Sequence, residues 1–149
     1  MGKNVVDQID DQVKINTMLV SVSDKTGLDS FIPGVVELNP DVLILSTGGT
    51  FARIKNILGS RAPDNLQQVS DYTGQPETQG GLVKTLDFKI YLGLLTETYN
   101  GAHQEDLKRT GARSIDMVVV NLYPFSQTIA KADATPENAR GNIDIGGPT

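Results

Sequence analysis

Short apolar runs alternate with amphipathic segments along the chain, and this alternation predicts strands and helices in turn. Residues 51–58 carry apolar side chains at helical spacing, and residues 103–110 and 136–140 also predict helices. A further helix is predicted over residues 26–36, interrupted or shortened by Pro33 and Gly34. The predicted strands are residues 15–22, 42–45, 66–69 and 117–122. Such alternation is typical of a three-layer α/β fold, an open and mainly parallel sheet flanked by helices.

Three stretches lack a clear period. Residues 59–65 predict a loop, and residues 70–83, rich in Gly, Thr, Gln and Pro, predict an irregular excursion. Residues 86–95 fit either a strand or a buried helix. Residues 1–13 are polar and acidic and predict a flexible N-terminal tail, so the domain is expected over residues 14–149.

Length and composition narrow the classes of protein to consider. A chain of 149 residues is one ordinary domain, and its net charge of −5 argues against nucleic acid as the main partner. The chain has no cysteine, which excludes disulfides and thiolate metal sites. No apolar run approaches the roughly 20 residues of a membrane span, and no secretory leader is evident, so we expect a cytoplasmic protein without membrane contact.

Polar motifs directly follow three of the predicted strands. They are Ser23-Asp24-Lys25-Thr26-Gly27, Ser46-Thr47-Gly48-Gly49-Thr50 and Asn121-Leu122-Tyr123-Pro124. Parallel strands end at one edge of an open α/β sheet, and ligands bind beyond those carboxyl ends. The sequence therefore predicts that the three motifs share one small-molecule site.

The first two motifs each have a functional and a structural interpretation. Gly48 and Gly49 permit close approach of a ligand to the free amides of a helix start, which predicts a phosphate cradle. The alternative is a helix cap, with Thr50 capping the helix that follows. The motif around Asp24 fits a capped helix start, and Lys25 adds an ammonium group that strengthens anion binding.

Candidate residues for chemistry lie further along the chain. Lys84, after the glycine-rich excursion, either stabilises charge over a pocket or is an exposed surface lysine. Asn121 and Tyr123 either contact a ligand, or the motif ends the strand, with Pro124 starting a helix and the aromatic side chains of Tyr123 and Phe125 in the core. Asp144 is either a proton acceptor or a helix cap. His103 is the only histidine and lies in a charged helix, so we assign it no catalytic or metal role.

Taken in order, these motifs carry a family resemblance. The set SVSDKTG, STGGT, VSDYTG, VKTL, DMVVVNLYPF and NIDIGGPT, from about Thr17 to Thr149, resembles the IMP cyclohydrolase domain of the bifunctional AICAR formyltransferase/IMP cyclohydrolase family. The resemblance implies a methylglyoxal-synthase-like fold and closure of the purine ring of FAICAR to IMP with loss of water. It also implies a purine-nucleotide ligand, a homodimer, and no metal or organic cofactor.

The resemblance assigns roles to individual positions. The implied catalytic residues are Lys84, Asp144 and Tyr123, with Lys84 stabilising charge and Asp144 assisting proton transfer. The implied substrate-binding residues are Ser23, Asp24, Lys25, Thr47, Gly48, Gly49, Thr50, Thr85, Asn121 and Ile145. Thr47 to Thr50 match the phosphate site, and Asn121 matches an amide that contacts the base.

The chain also departs from the family pattern. Leu82 stands where the family has arginine, Asp87-Phe88 replaces His-Pro, and Tyr91-Leu92-Gly93 replaces a His-Gly-Gly stretch. The sequence given stops before a lysine that acts as proton donor and acceptor in the family. These departures favour an alternative hypothesis, a purine-nucleotide-binding module without turnover. A methylglyoxal-synthase activity is disfavoured because His103 is poorly placed for it.

Overall fold

A four-stranded parallel sheet organises the protein. The computed structural model describes residues 8–75 and 85–147. The strand order is β3-β2-β1-β4, and every neighbouring pair is parallel. The strands are β1 (Thr17–Val22), β2 (Leu43–Ser46), β3 (Leu66–Gln68) and β4 (Met117–Asn121). The predicted α/β architecture is confirmed, and each predicted strand is present with ends shifted by one or two residues.

Helices connect and flank these strands. They are α1 (Leu28–Leu38), α2 (Gly48–Leu58), α3 (Ala62–Asn65), α4 (Val69–Thr73), α5 (Phe88–Leu95), α6 (Gly101–Thr110), α7 (Phe125–Ile129) and α8 (Pro136–Gly141), with a 3-10 turn at Gly59–Arg61. None of the helices within the described ranges is long and apolar enough to cross a membrane.

Three local predictions were wrong or incomplete. Helix α1 runs through Pro33 to Leu38 without interruption, because Ile32 and Val36 are buried against the sheet and their packing outweighs the local cost of proline. Residues 59–65 are helical turns rather than a loop, and α4 occupies the start of the predicted irregular excursion. Helix α4 forms there because Val69 and Tyr72 are buried in the core.

The core has two parts, one on each face of the sheet. On one face Met18 and Val20 of β1 pack with apolar side chains of α1 and α2. On the other face Leu19 packs with Tyr72 of α4 and Ile90 of α5. Side chains alternate between faces along a strand, so one short apolar run supplies both layers. Burial of Ile90 explains why the ambiguous segment 86–95 is helical: α5 presents it to the sheet.

The strand register brings the carboxyl ends of the strands to one edge. Val20 is aligned with Ser46 across β1 and β2, and Val22 is aligned with Asn121 across β1 and β4. The polar motifs that follow these strands consequently begin side by side.

The predicted tail boundary at residue 13 stays a prediction. Residues 1–7 lie outside the described residues, and Tyr99 donates its hydroxyl proton to Asp10 Oδ1 at 2.6 Å.

Candidate functional site

Asn121, at the end of β4, braces the loop that follows β1. Its Oδ1 accepts the backbone N–H groups of Ser23 (2.7 Å) and Asp24 (3.0 Å). Its Nδ2 donates to the carbonyl oxygen of Asp24 at 2.8 Å. These bonds use both lone pairs of Oδ1 and one of the two Nδ2 hydrogens. One amide hydrogen therefore remains for a ligand, and the first and third motifs form one unit.

Asp24 shapes the same loop from within. Its Oδ1 accepts the backbone N–H (2.9 Å) and the hydroxyl (2.7 Å) of Thr26. These hydrogen bonds lower the pKa of Asp24, with a smaller contribution from the charge of Lys25. Gly27, at φ +86°, then turns the chain into α1 in a conformation that favours glycine. The capped helix start predicted here is thus a turn held by Asp24, without a side-chain cap on α1 itself.

Lys25 lies beside the start of α2. Its Nζ donates to the carbonyl oxygens of Val22 (3.3 Å) and Ser23 (3.1 Å). A Cβ placed on Gly49 would lie 3.7 Å from Lys25 Cε and 3.9 Å from Nζ. These are ordinary van der Waals distances, so the Lys25 side chain lies directly against the first turn of α2. An ammonium group and the first amides of an 11-residue helix therefore face the same space.

Two hydroxyl residues link β1 to α2, but they do so differently. Thr47 precedes α2, and its hydroxyl lies 3.3 Å from that of Ser21, which the sequence analysis did not select. Thr50 is buried, donates to the carbonyl oxygen of Val22 (2.9 Å) and accepts its N–H (3.1 Å). The interpretation of Thr50 as a helix cap was therefore wrong: α2 begins at Gly48, and Thr50 already lies in its first turn. Direct contact of Thr50 with a ligand stays a prediction.

Replacing Thr50 with valine is expected to lower the free energy of unfolding by about 1–3 kcal/mol, because the buried backbone groups of Val22 lose their partner. Thr50→Ser keeps the hydroxyl and should lose less. Chemical denaturation of both variants measures the difference. Equal stabilities of the valine and serine variants would show that the two hydrogen bonds between the Thr50 hydroxyl and Val22 do not stabilise the fold.

A second group of predicted residues meets beyond β4. The Thr85 hydroxyl donates to the carbonyl oxygen of Gly146 at 3.2 Å. The Gly147 N–H donates to Asp144 Oδ1 at 2.8 Å, and a Cβ on Gly147 would lie 2.5 Å from Leu122 Cδ2. Thr85, Asp144 and Leu122 are therefore neighbours, although Thr85 and Asp144 lie 59 positions apart in the sequence.

The remaining predicted residues within the described ranges are at least half-exposed. Tyr123 is half-exposed, and Ile145 is exposed, at 50% and 65% of their surface. Both lie at the same edge of the sheet as the residues above, with no core role. Lys84 and Leu82 lie outside the described residues.

Three residues have contacts in this region that the sequence analysis did not assign: Ser21, Thr26 and Asp87. Ser21 was detectable, because it precedes the first motif by two residues on an alternating strand. Asp87 had a recognisable signal too, since an aspartate before an apolar helix is a preferred cap. In the structure it caps α5 by accepting the Lys89 N–H at 2.7 Å.

The part of the chain that the structure describes contains no cluster of metal ligands. Across 8–75 and 85–147, no group of three or more His, Cys, Asp or Glu side chains could hold a metal ion. His103 Nδ1 accepts the Glu97 N–H at 3.2 Å, which gives the only histidine of the sequence a local structural role.

Known proteins match this chain in both sequence and fold. It is 50% identical over 136 residues to the "Bifunctional purine biosynthesis protein PurH" of Magnetococcus marinus, and 47% identical over 130 residues to that of Prochlorococcus marinus. These matches cover 91% and 87% of this chain but only 24% of each relative. The crystal structure of ForH has the same fold, with a TM-score of 0.69 at 24% identity, over 91% of this chain and 65% of that one.

The family assignment follows from a match to a family profile. The profile described as "MGS-like domain" matches residues 27–149, which include every described site residue except those that precede Gly27. The predicted family resemblance is thereby confirmed. This chain belongs to the MGS-like domain family and is homologous to a region of the bifunctional PurH proteins of purine biosynthesis.

Proposed function

We propose that this chain carries an IMP cyclohydrolase site, which closes the ring of FAICAR to give IMP and water. The observation that carries the proposal is the convergence of residues from separate parts of the chain at one sheet edge. Lys25 lies beside Gly49, Asn121 braces Ser23 and Asp24, and Thr85 bonds the segment that contains Asp144. Homology to purine-biosynthesis proteins supports this substrate class.

The phosphate group of the nucleotide is assigned to the space between Lys25 and the start of α2. The Lys25 ammonium supplies a full positive charge, and the first N–H groups of α2 supply donors and the positive end of the helix dipole. Gly48 and Gly49 carry no side chain that would block the approach of phosphate oxygens. Thr47 adds a hydroxyl at the same point.

The base is assigned to the other end of the site, beyond β4. The remaining Nδ2 hydrogen of Asn121 donates to an oxygen or nitrogen of the base, and the half-exposed Tyr123 ring offers a hydroxyl or a stacking surface. Asp144 Oδ1 is held by the Gly147 N–H, which orients Oδ2 as a proton acceptor. Thr85 and Ile145 complete this end of the site.

The proposed reaction forms one bond and breaks another within a single substrate molecule. The carboxamide nitrogen attacks the formyl carbon, and the formyl C–O bond breaks after two protons have moved to that oxygen, one from each nitrogen. Water leaves, and no oxidation or reduction occurs, so the balance requires no redox cofactor. The protein contributes by holding the reacting groups in contact and by stabilising charge on the oxygen, effects that are each typically worth several kcal/mol.

Lys84 is the residue proposed to stabilise that oxygen, with Asp144 accepting the proton from nitrogen. Lys84→Ala is expected to abolish conversion of FAICAR to IMP while IMP still binds, because its charge acts mainly in the transition state. Lys108→Ala, an equal charge change on the exposed face of α6, is the control. Unchanged turnover in Lys84→Ala would contradict the proposed role. Binding of IMP without turnover by the unmodified chain would favour the alternative, a nucleotide-binding module.

Two broader predictions accompany this function. A homodimer is predicted from the family resemblance, and a cytoplasmic location is predicted from composition. Both stay predictions for this chain.

A further inference from the structure

Asp87 has replaced the histidine of the family pattern, and both of its carboxylate oxygens are engaged. Oδ1 accepts the Lys89 N–H at 2.7 Å, and Oδ2 accepts the Gln75 side-chain amide at 2.8 Å. The residue is 5% exposed. Both oxygens of this buried carboxylate have hydrogen-bond partners within the protein, so Asp87 is suited to holding two segments together.

Each partner of Asp87 is itself fixed to the sheet. Gln75 lies two residues beyond the end of α4, where Gly74 N–H donates to Ser70 O (2.8 Å) and Gln75 N–H donates to Thr73 Oγ1 (3.2 Å). Helix α4 is held by the buried Val69 and Tyr72. On the other side, Asp87 begins α5, whose Ile90 is buried in the same part of the core. The Gln75–Asp87 hydrogen bond therefore ties the end of α4 to the start of α5.

Thr85 precedes Asp87 by two residues, so the position of Thr85 depends on the Gln75–Asp87 hydrogen bond. Two residues span at most about 7 Å, which confines Thr85 to the neighbourhood of Asp87. The buried Thr85 in turn donates to Gly146 O, in the segment whose Gly147 N–H holds Asp144. A continuous chain of contacts runs from Gln75 to the base end of the site.

We infer that Asp87, through its hydrogen bond to Gln75, is a positioning residue that sets the location of Thr85 and of the Asp144 segment and thereby the affinity for a purine nucleotide. The inference rests on the proposed function only for its effect on affinity. Asp87 itself touches neither the substrate nor the reacting atoms. It acts through Thr85.

Three variants separate this positioning role from helix capping. Gln75→Ala removes the hydrogen bond to Asp87 by changing an exposed residue, and it leaves Asp87 as the cap of α5. Asp87→Ser also keeps the cap, since serine caps helices about as well as aspartate, but has no second polar atom for Gln75. Asp87→Asn keeps both functions, because the Gln75 amide can turn its oxygen toward the asparagine nitrogen.

The test combines calorimetric titration with IMP and the amide resonances of Gly146 and Gly147 in the full chain. We expect Gln75→Ala and Asp87→Ser to bind IMP about five- to tenfold more weakly and to shift both resonances. Asp87→Asn should remain close to the unmodified chain in both measurements. Unchanged affinity or unchanged resonances in Gln75→Ala and Asp87→Ser would overturn the inference.

The two readouts also separate this inference from the proposed function. If the unmodified chain does not bind IMP, the proposed function fails, and the effect on affinity fails with it. The resonances, measured without ligand, would still decide whether the Gln75–Asp87 bond positions the segment that contains Gly146.

Discussion

Lys25→Ala is expected to weaken IMP binding by about 10- to 100-fold, because a hydrogen bond to a charged group typically contributes about 1.5–3 kcal/mol. In the structure the Lys25 ammonium is held by the carbonyl oxygens of Val22 and Ser23 beside Gly49, so it is already placed for a phosphate group. Preorganised charge costs little to use when the ligand arrives. Calorimetric titration with IMP measures the loss.

Lys55→Ala is the matched control for this prediction. Lys55 lies on the same helix as Gly49, but in its last turn and exposed to solvent. The substitution removes an equal charge at the opposite end of α2. Any general effect of net charge on IMP binding is therefore the same in the two variants. We expect its IMP affinity to remain within about twofold, since exposed charges a helix length apart are largely screened by salt. Equal losses in the two variants would contradict a phosphate site at Lys25.

Gly93→Ala is expected to lower the free energy of unfolding by about 2–3 kcal/mol through overpacking. A Cβ at Gly93 would lie 2.4 Å from the backbone oxygen of Arg113 and 3.1 Å from Ile115 Cγ1. The Ile115 N–H also donates to Gly93 O at 2.9 Å, so α5 lies directly against the segment that enters β4. Because a backbone atom blocks the added methyl group, relief requires a shift of α5. Chemical denaturation of the variant measures the cost.

Gly34→Ala provides the opposite expectation for the same chemical change. Gly34 lies inside α1, and a Cβ built on it would meet no atom within 4 Å. Alanine should stabilise the helix by about 0.5–1 kcal/mol, because it lowers the entropy of the unfolded chain. A Gly93→Ala variant as stable as Gly34→Ala would show that α5 does not pack against Arg113 as described.

The sequence predicted the sheet and the edge at which the polar motifs meet, because both depend on local patterns. Apolar runs of strand length followed by polar motifs indicated where β1, β2 and β4 end, and parallel strands must end at one edge. The resemblance then indicated which residues of those motifs to consider. The prediction that the three motifs share one site led us to expect Asn121 near Asp24, and Lys25 near Gly49, without specifying their contacts.

What the sequence did not reveal depends on contacts between distant positions. Thr50 was interpreted as a cap or a ligand residue, but its hydroxyl binds Val22, 28 residues earlier in the chain. Asp87 was recognised only as a departure from the family, since its partner Gln75 lies 12 positions earlier in the sequence, beyond the reach of a local pattern. The continuity of α1 through Pro33 likewise depends on burial of Ile32 and Val36, which the local sequence does not encode.

Titration of the unmodified chain with IMP tests the central claim most directly, because binding does not depend on every catalytic group being present. The account predicts saturable binding at one site per chain, with an affinity that falls about 10- to 100-fold in Lys25→Ala and stays within about twofold in Lys55→Ala. A chain that is folded by circular dichroism, yet gives no binding heat and no shift of the Gly49 or Gly146 amide resonances with IMP, would contradict a purine-nucleotide site at the strand ends.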